Sequence, residues 1–283
     1  MMDADPVYIA ARRVLLDALQ ALSKHSNAVI LIGAQAVYLR AGAGDIAMAP
    51  FTTDADLAID PSLLAREPEL EALMSRAGFE LSSNPGSWVI STEVGGQSYA
   101  VPVDLMVPDA VAPAGSGRRS VNLAGHSSMA ARRATGLEPS LIDNDVLVVA
   151  ALESTDDRTF SVRVAGRTAL LIAKLHKIGE RVNTGATHRI AAKDAGDVYR
   201  LMLATPVADF VATTQGLVTD ASTAPSVQQA FSYLDQLFGA RARPGVRLAV
   251  EALRTAVPPA RVEAVCAAFV RDTRDARSGG HGA

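Results

Sequence analysis

The chain has 283 residues, 49% hydrophobic and 20% charged, with a net charge of −3. This profile excludes a disordered polymer and suits two modest domains or one large one. A lone cysteine, Cys266, excludes an internal disulfide and a cysteine zinc cluster, and reads as a packed small side chain.

No basic flank precedes an apolar run near the start, and the longest apolar run, Val146 to Leu152, is too short for a bilayer. The expectation is a cytoplasmic protein without a membrane partner. Charge is unevenly spread. Residues 1–110 hold 6 Lys+Arg against 14 Asp+Glu, and residues 111–283 hold 21 against 16. An acidic half beside a basic half suits a metal-binding part beside a part that meets phosphates, although many charged faces are merely solvated.

In chain order, residues 7–24 show helical spacing through Val14, Leu15, Ala18 and Leu22. Residues 28–32 are wholly apolar and predict a buried strand, ended by Gly33, with a helix over 34–40. Residues 42–50 predict a loop of glycine and small residues. Residues 54–60 alternate, with Ala55, Leu57 and Ile59 on one face and Asp54, Asp56, Ala58 and Asp60 on the other. Pro61 then predicts a helix start, with Leu63, Leu64, Leu70, Leu73 and Met74 on its buried side.

Strands follow at 79–82, 88–92 and 99–107. In the last, Val101, Val103, Leu105 and Val107 share a face, and Asp104 lies opposite, beside Pro102 and Met106. Residues 108–117 predict a loop rich in Pro, Gly, Ala and Ser, with more strands in 118–164, including 146–150 and 160–164. From Arg167 the pattern is helical, with helices at 167–182, 188–203, 206–213, 222–238, 246–255 and 259–273 and a disordered tail from Ser278. The predicted class is α/β (α+β). A mixed sheet with flanking helices is expected over 1–165, and a helical domain over 166–283.

The chemistry centres on Asp54-Ala55-Asp56 and Asp104. Two residues along a strand set side chains about 6–7 Å apart on one face. Two carboxylates then converge on one cation, and a third from a neighbouring strand completes the set. Magnesium takes hard oxygen ligands and fills its shell with water and phosphate. Asp-x-Asp alone reads more readily as a solvated acidic face, because the pattern is common. Asp104 weighs against that, because a carboxylate inside Val-Pro-Val-Asp-Leu-Met-Val needs a partner. Gly33, at a strand-to-helix junction, lets a backbone approach a triphosphate.

Leu31-Ile32-Gly33-Ala34-Gln35-Ala36, then Thr52-Thr53-Asp54-Ala55-Asp56-Leu57, then Val103-Asp104-Leu105 resembles the DNA polymerase β-like nucleotidyltransferase superfamily. A second block, Ala173-Lys174-Leu175-His176-Lys177-Ile178-Gly179-Glu180-Arg181 followed by Lys193-Asp194-Ala195-Gly196-Asp197, resembles the AbiEii family of toxin nucleotidyltransferases, which includes the MenT-type enzymes. The resemblance spans about residues 28 to 203. Two departures stand out: Ala34 replaces a Gly or Ser, and Pro50-Phe51-Thr52-Thr53 lacks the Arg often found before Asp-x-Asp. Residues 204–283 resemble nothing comparable.

The resemblance implies a magnesium-dependent transfer of a nucleoside monophosphate from an NTP to an acceptor hydroxyl, with 1–165 as the catalytic domain and 166–283 as the part that binds nucleotide or acceptor. It places two Mg2+ ions, or Mn2+ in their stead, on Asp54, Asp56 and Asp104. It gives Asp194 a catalytic role at the acceptor hydroxyl. It sets Gly33, Ala34, Thr52, Lys174, Lys177 and Arg181 at the nucleotide. It further implies a tRNA acceptor and a cognate antitoxin partner. Alternatives are a small-molecule acceptor such as an aminoglycoside, a catalytically inactive binding protein, and an accidental pattern in an unrelated α/β protein.

On residues alone, Leu171, Leu175, Ile178 and Val182 make one helical stripe, flanked by Arg167, Lys174, Lys177 and Arg181. That basic stripe borders a cleft or is a snorkelling, solvated face. Lys193 and Asp197 are spaced to pair on the next helix, with Asp194 off that pair. His176 and His188 read as surface or packing residues. A basic second half suits an RNA backbone, but aromatics are only 5%, too few for base stacking to add much.

Overall fold

The computed structural model describes residues 5–42, 52–185 and 189–279. Their described parts form two compact units. The first comprises residues 5–36, 52–134 and 144–165, and the second comprises 37–42, 135–143, 166–185 and 189–279. The architecture is mixed α/β, a mixed sheet with helices followed by a helical region.

The first unit opens with α1 (Pro6–Ala21). Asp5 caps it, its carboxylate accepting from Val7 N at 2.8 Å, and Pro6 sits where a missing amide costs nothing. The predicted helix over 7–24 ends earlier, because residues Leu22–Ala28 tighten into a 3-10 turn with His25 out of helical geometry. Strand β1 (Val29–Ile32) is buried along its whole length, and α2 (Gly33–Ala41) follows directly. The loop expected at 42–50 lies, apart from Gly42, outside the described residues.

Strand β2 (Ala55–Ile59) has both faces covered. Ala58 is fully buried and Asp60 nearly so, while Asp56 is half-buried. The acidic face is therefore not a solvated one. The helix expected from Pro61 does not form there. Asp60 Oδ1 accepts from Ser62 N at 3.0 Å and from its hydroxyl at 2.6 Å, making a side-chain turn that competes with a helix start. Pro68 disfavours helix in the residue before it. The helix α3 begins only at Leu70 and ends at Arg76, and Leu63 is 51% exposed rather than buried.

The remaining strands are β3 (Glu80–Leu81), β4 (Ser87–Val94), β5 (Gln97–Pro108), β6 (Arg132–Ala134), β7 (Asn144–Ala150) and β8 (Thr159–Ala165). The sheet runs β3-β4-β5-β2-β1-β8-β7, with β6 added to the far end of β5. β1–β2, β3–β4, β4–β5 and β7–β8 are antiparallel; β1–β8, β2–β5 and β5–β6 are parallel. Helix α1 packs on β2, β4, β5 and β8. The core holds Leu15, Leu31, Leu57, Trp88 and Val103. The longest apolar run becomes edge strand β7, with Val146 62% and Val148 65% exposed and Val149 alone of the three turned into the core.

The second unit is helical: α4 (Arg167–Asn183), α5 (Arg189–Ala204), α6 (Val207–Leu217), α7 (Ala224–Phe238), α8 (Pro244–Leu253) and α9 (Pro259–Gly279). Helix α5 packs on α4 and α8, α7 on α4, and α6 on α9. Leu171, Leu175 and Ile178 are fully buried, as the helical stripe predicts. Ser278 and Gly279 still belong to α9, against the expected tail; residues 280–283 lie outside the described residues. No helix among the described residues is long and apolar enough to cross a membrane.

Candidate functional site

Three neighbouring strands assemble the acidic cluster of the first unit. β2 and β5 run parallel in a register that sets Asp56 directly beside Asp104. Neighbouring strands lie about 4.8 Å apart, so the two carboxylates leave the sheet side by side. On the other side, β1 pairs Ile32 with Asp56, which puts Gly33 against the same residue. Gly33 has φ +71, and a Cβ there would lie 2.0 Å from Asp56 Oδ2. Both facts demand glycine. A close approach by a triphosphate is one reason to expect glycine here; the structure adds a second, the Asp56 carboxylate. Ala34 is buried in the next position of α2.

Asp54 lies one residue before the ladder of β2 begins, and side chains hold it. Gln35 Nε2 donates to Asp54 O and to Ala11 O, each at 3.2 Å. Gln35 Oε1 accepts from Arg12 Nε at 2.8 Å, which fixes the orientation of the amide. Arg12 is 3% exposed, and its other nitrogens donate to Ala150 O at 2.9 Å and Tyr8 Oη at 3.1 Å. Its guanidinium is thus buried on neutral acceptors. Thr52, fully buried, donates its hydroxyl to Asp54 Oδ1. The residue expected at the nucleotide therefore bonds a metal-ligand candidate.

Asp104 has the partner its apolar strand called for. Arg132 donates to Asp104 Oδ2 at 2.8 Å. β6 brings Arg132 alongside Met106, two residues past Asp104. Gly86 makes this possible: its φ is +71, and a Cβ there would meet Leu105 O at 2.4 Å and Arg132 N at 2.5 Å.

The donor set and backbone register fit a hard divalent cation: Asp56 and Asp104 at paired strand positions, with Asp54 just before β2, all three half-buried. The side-chain directions are not those of a loaded site. Among the described residues no three His, Cys, Asp or Glu side chains are gathered closely enough to hold a metal ion. Asp104 is turned to Arg132 and Asp54 to Thr52. Loading would draw the Asp54 and Asp104 carboxylates away from these partners.

The second unit carries a separate charge cluster. Lys174 Nζ donates to Asp194 Oδ1 and Asp197 Oδ2, each at 2.7 Å, and all three side chains are almost wholly buried. Asp194 Oδ2 also accepts from Arg181 at 2.7 Å, and Lys177 Nζ lies 3.4 Å from Oδ1. Burial pushes the Asp194 carboxyl up, but the charges of Lys174, Lys177 and Arg181 outweigh it and hold the group down at about 2. Burial likewise opposes the charge on Lys174, and its two carboxylates outweigh that and raise it well above the ordinary lysine value.

Lys174 is thus neither snorkelling nor solvated. Asp194 does not stand off the ion pairing; it is at the centre of it, and Asp197 accepts from Lys174. Lys177 and Arg181 are the outward members, with side chains 40% and 28% exposed.

His176 packs as expected, with Nε2 on Ser226 O at 2.8 Å and its ring edge-on to Tyr233; His188 lies outside the described residues. Cys266 is buried, which pushes its thiol up to about 12. Arg12, Gln35 and Arg132 escaped the sequence reading. Only the buried setting of Arg12 and Gln35 gives them meaning, and Arg132 sits on a three-residue strand too short for any periodicity. No family model matches the chain, and no match is found among curated proteins.

Proposed function

We propose that this protein is a divalent-metal-dependent nucleotidyltransferase. The observation that carries the reading is the register of Asp56 on Asp104, with the Gly33 backbone against the Asp56 carboxylate. Asp54, Asp56 and Asp104 are the residues that would hold Mg2+ or Mn2+. When bound, such an ion supplies charge neutralisation at the phosphates and lowers the pKa of a coordinated hydroxyl.

In the transfer, the acceptor oxygen bonds the α-phosphorus of an NTP, the bond from that phosphorus to the bridging oxygen breaks, and pyrophosphate leaves. The hydroxyl proton is lost to solvent or a nearby base. Such reactions depend mainly on positioning and electrostatics, which is why fixed carboxylates and cations suffice as the protein's contribution. Gln35, Arg12 and Thr52 position Asp54. Lys177 and Arg181 are the partly exposed cations that the motif resemblance assigns to phosphate. Asp194, held at about 2, is a weak base at neutral pH and serves better to anchor those cations than to take a proton.

The favoured acceptor is RNA, at the 3′ end of tRNA, and the favoured role is the toxin of an AbiE-type pair with a cognate antitoxin. The support is the motif order and the basic balance of residues 111–283. The test incubates the protein with Mg2+, each labelled NTP and total RNA, beside an Asp56→Asn control. Label on RNA with the intact protein alone supports the reading. Label on a protein or a small molecule keeps the chemistry and replaces the acceptor. Absence of both transfer and Mg2+-dependent NTP binding overturns it in favour of a non-catalytic role.

A further inference from the structure

Two buried or braced arginines set the contrast for a third. Arg12 is enclosed and donates to three acceptors. Arg133 grips Asp109 with Nε at 2.7 Å and Nη2 at 2.6 Å. Arg132 is held loosely. Its side chain is 32% exposed, and among the described residues its only side-chain partner is Asp104 Oδ2. The other donors of its fork are left over. Its backbone is fixed by the close approach at Gly86 and by the β5 ladder, so the side chain can turn while its root stays put.

The competition at Asp104 is direct. A cation shared between Asp56 and Asp104 and the Arg132 guanidinium draw on the same carboxylate. A half-exposed ion pair is weak and exchanges readily. Arg133 N donates to Arg119 O at 2.8 Å, which brings the Arg118–Arg119 segment beside β6. Both arginines are exposed, and among the described residues no carboxylate pairs with either. Exposed arginines on the segment beside β6, with Arg132 itself on Asp104, suit a metal-bound polyphosphate, with the ion at the carboxylates and the oxyanions toward guanidinium groups.

We propose, resting on the nucleotidyltransferase reading, that Arg132 is an exchangeable counter-ion. It pairs with Asp104 before a divalent cation arrives, releases that carboxylate to the cation, and turns to the phosphates of the incoming nucleotide. The arginine therefore opposes binding of the bare ion and favours binding of the ion with its polyphosphate.

These opposite signs are the test. Mn2+ binding, read from the loss of free-ion signal in electron paramagnetic resonance, and binding of magnesium tripolyphosphate, read by calorimetry, are measured on wild type, Arg132→Met, Arg132→Lys and Asp104→Asn. Thermal melts confirm that each is folded. Arg132→Met is expected to bind Mn2+ about fivefold more tightly and tripolyphosphate about tenfold more weakly, the size of an ordinary coupling between sites. Arg132→Lys, which keeps the charge and loses the fork, falls between. If both affinities fall together, or neither moves, Arg132 is only a brace and the proposal is overturned. If wild type binds Mn2+ and Asp104→Asn does not, the nucleotidyltransferase reading survives that result. If no variant, Arg132→Met included, binds Mn2+ and none binds magnesium tripolyphosphate, both fall.

Discussion

Asp56 and Asp104, 48 positions apart in the chain, are immediate cross-strand neighbours on parallel β2 and β5. Parallel pairing needs a long connection, and here α3, β3 and β4 fill it. The two residues pair in the sheet's interior, on central strands rather than at a frayed edge. Replacing either by asparagine removes charge while keeping shape. Transfer activity is expected to fall on the order of 100- to 1,000-fold, the scale of losing one preorganised electrostatic group. Thermal stability should stay close to wild type. A normal rate of label transfer by Asp104→Asn would remove Asp104 from the chemistry.

Gly33→Ala tests the junction from the other side. The new methyl must share space with Asp56 Oδ2 and adopt a left-handed backbone. The backbone penalty alone is about 1–2 kcal/mol, and the displaced carboxylate should weaken Mn2+ binding as well. Denaturant melts and Mn2+ titration check the two effects. An alanine variant with wild-type stability would mean the close approach is not real.

Gln35 offers a way to separate folding from positioning. Gln35→Leu strands the buried Nε donor of Arg12, at a cost of about 1–3 kcal/mol, and frees the Asp54 carbonyl. Adding Arg12→Met removes the stranded donor and should recover part of that stability. Mn2+ affinity should stay low in both variants, because neither restores the clamp on Asp54. Recovery of affinity in step with melting temperature would show that Gln35 merely supports the fold.

Asp194 sets a pH dependence. Its carboxyl sits at about 2 in the folded protein, against about 3.9 for a free aspartate. A depressed acid contributes stability that is fully present above the unfolded value and is lost as pH falls toward the folded one. Asp194→Asn should therefore cost on the order of 3 kcal/mol near neutrality, as breaking a buried pair does. The gap to wild type should narrow between about pH 4 and about pH 2. Melting curves of both proteins across that range decide it. A gap that is constant with pH would mean the carboxylate's charge is not what stabilises the helical unit.

Much was legible from the order of residues alone. Alternation marked β2 and the Val101–Val107 face of β5, and helical spacing marked α4 through α9, because burying one face imposes a period that survives in sequence. The Asp-x-Asp pattern and the isolated Asp104 stood out as polar breaks in those periods. What tertiary structure decided was pairing. Only the sheet order puts Asp56 on Asp104 and sets Gly33 against Asp56 from the other side. Only burial makes Lys174 a core cation instead of a surface one, and gives Arg12 and Gln35 a task. Only the short β6 brings Arg132 to Asp104. Periodicity encodes which way a side chain faces along its own element. It carries no record of which distant element will face it, and at this site that partner sets where each charge is held.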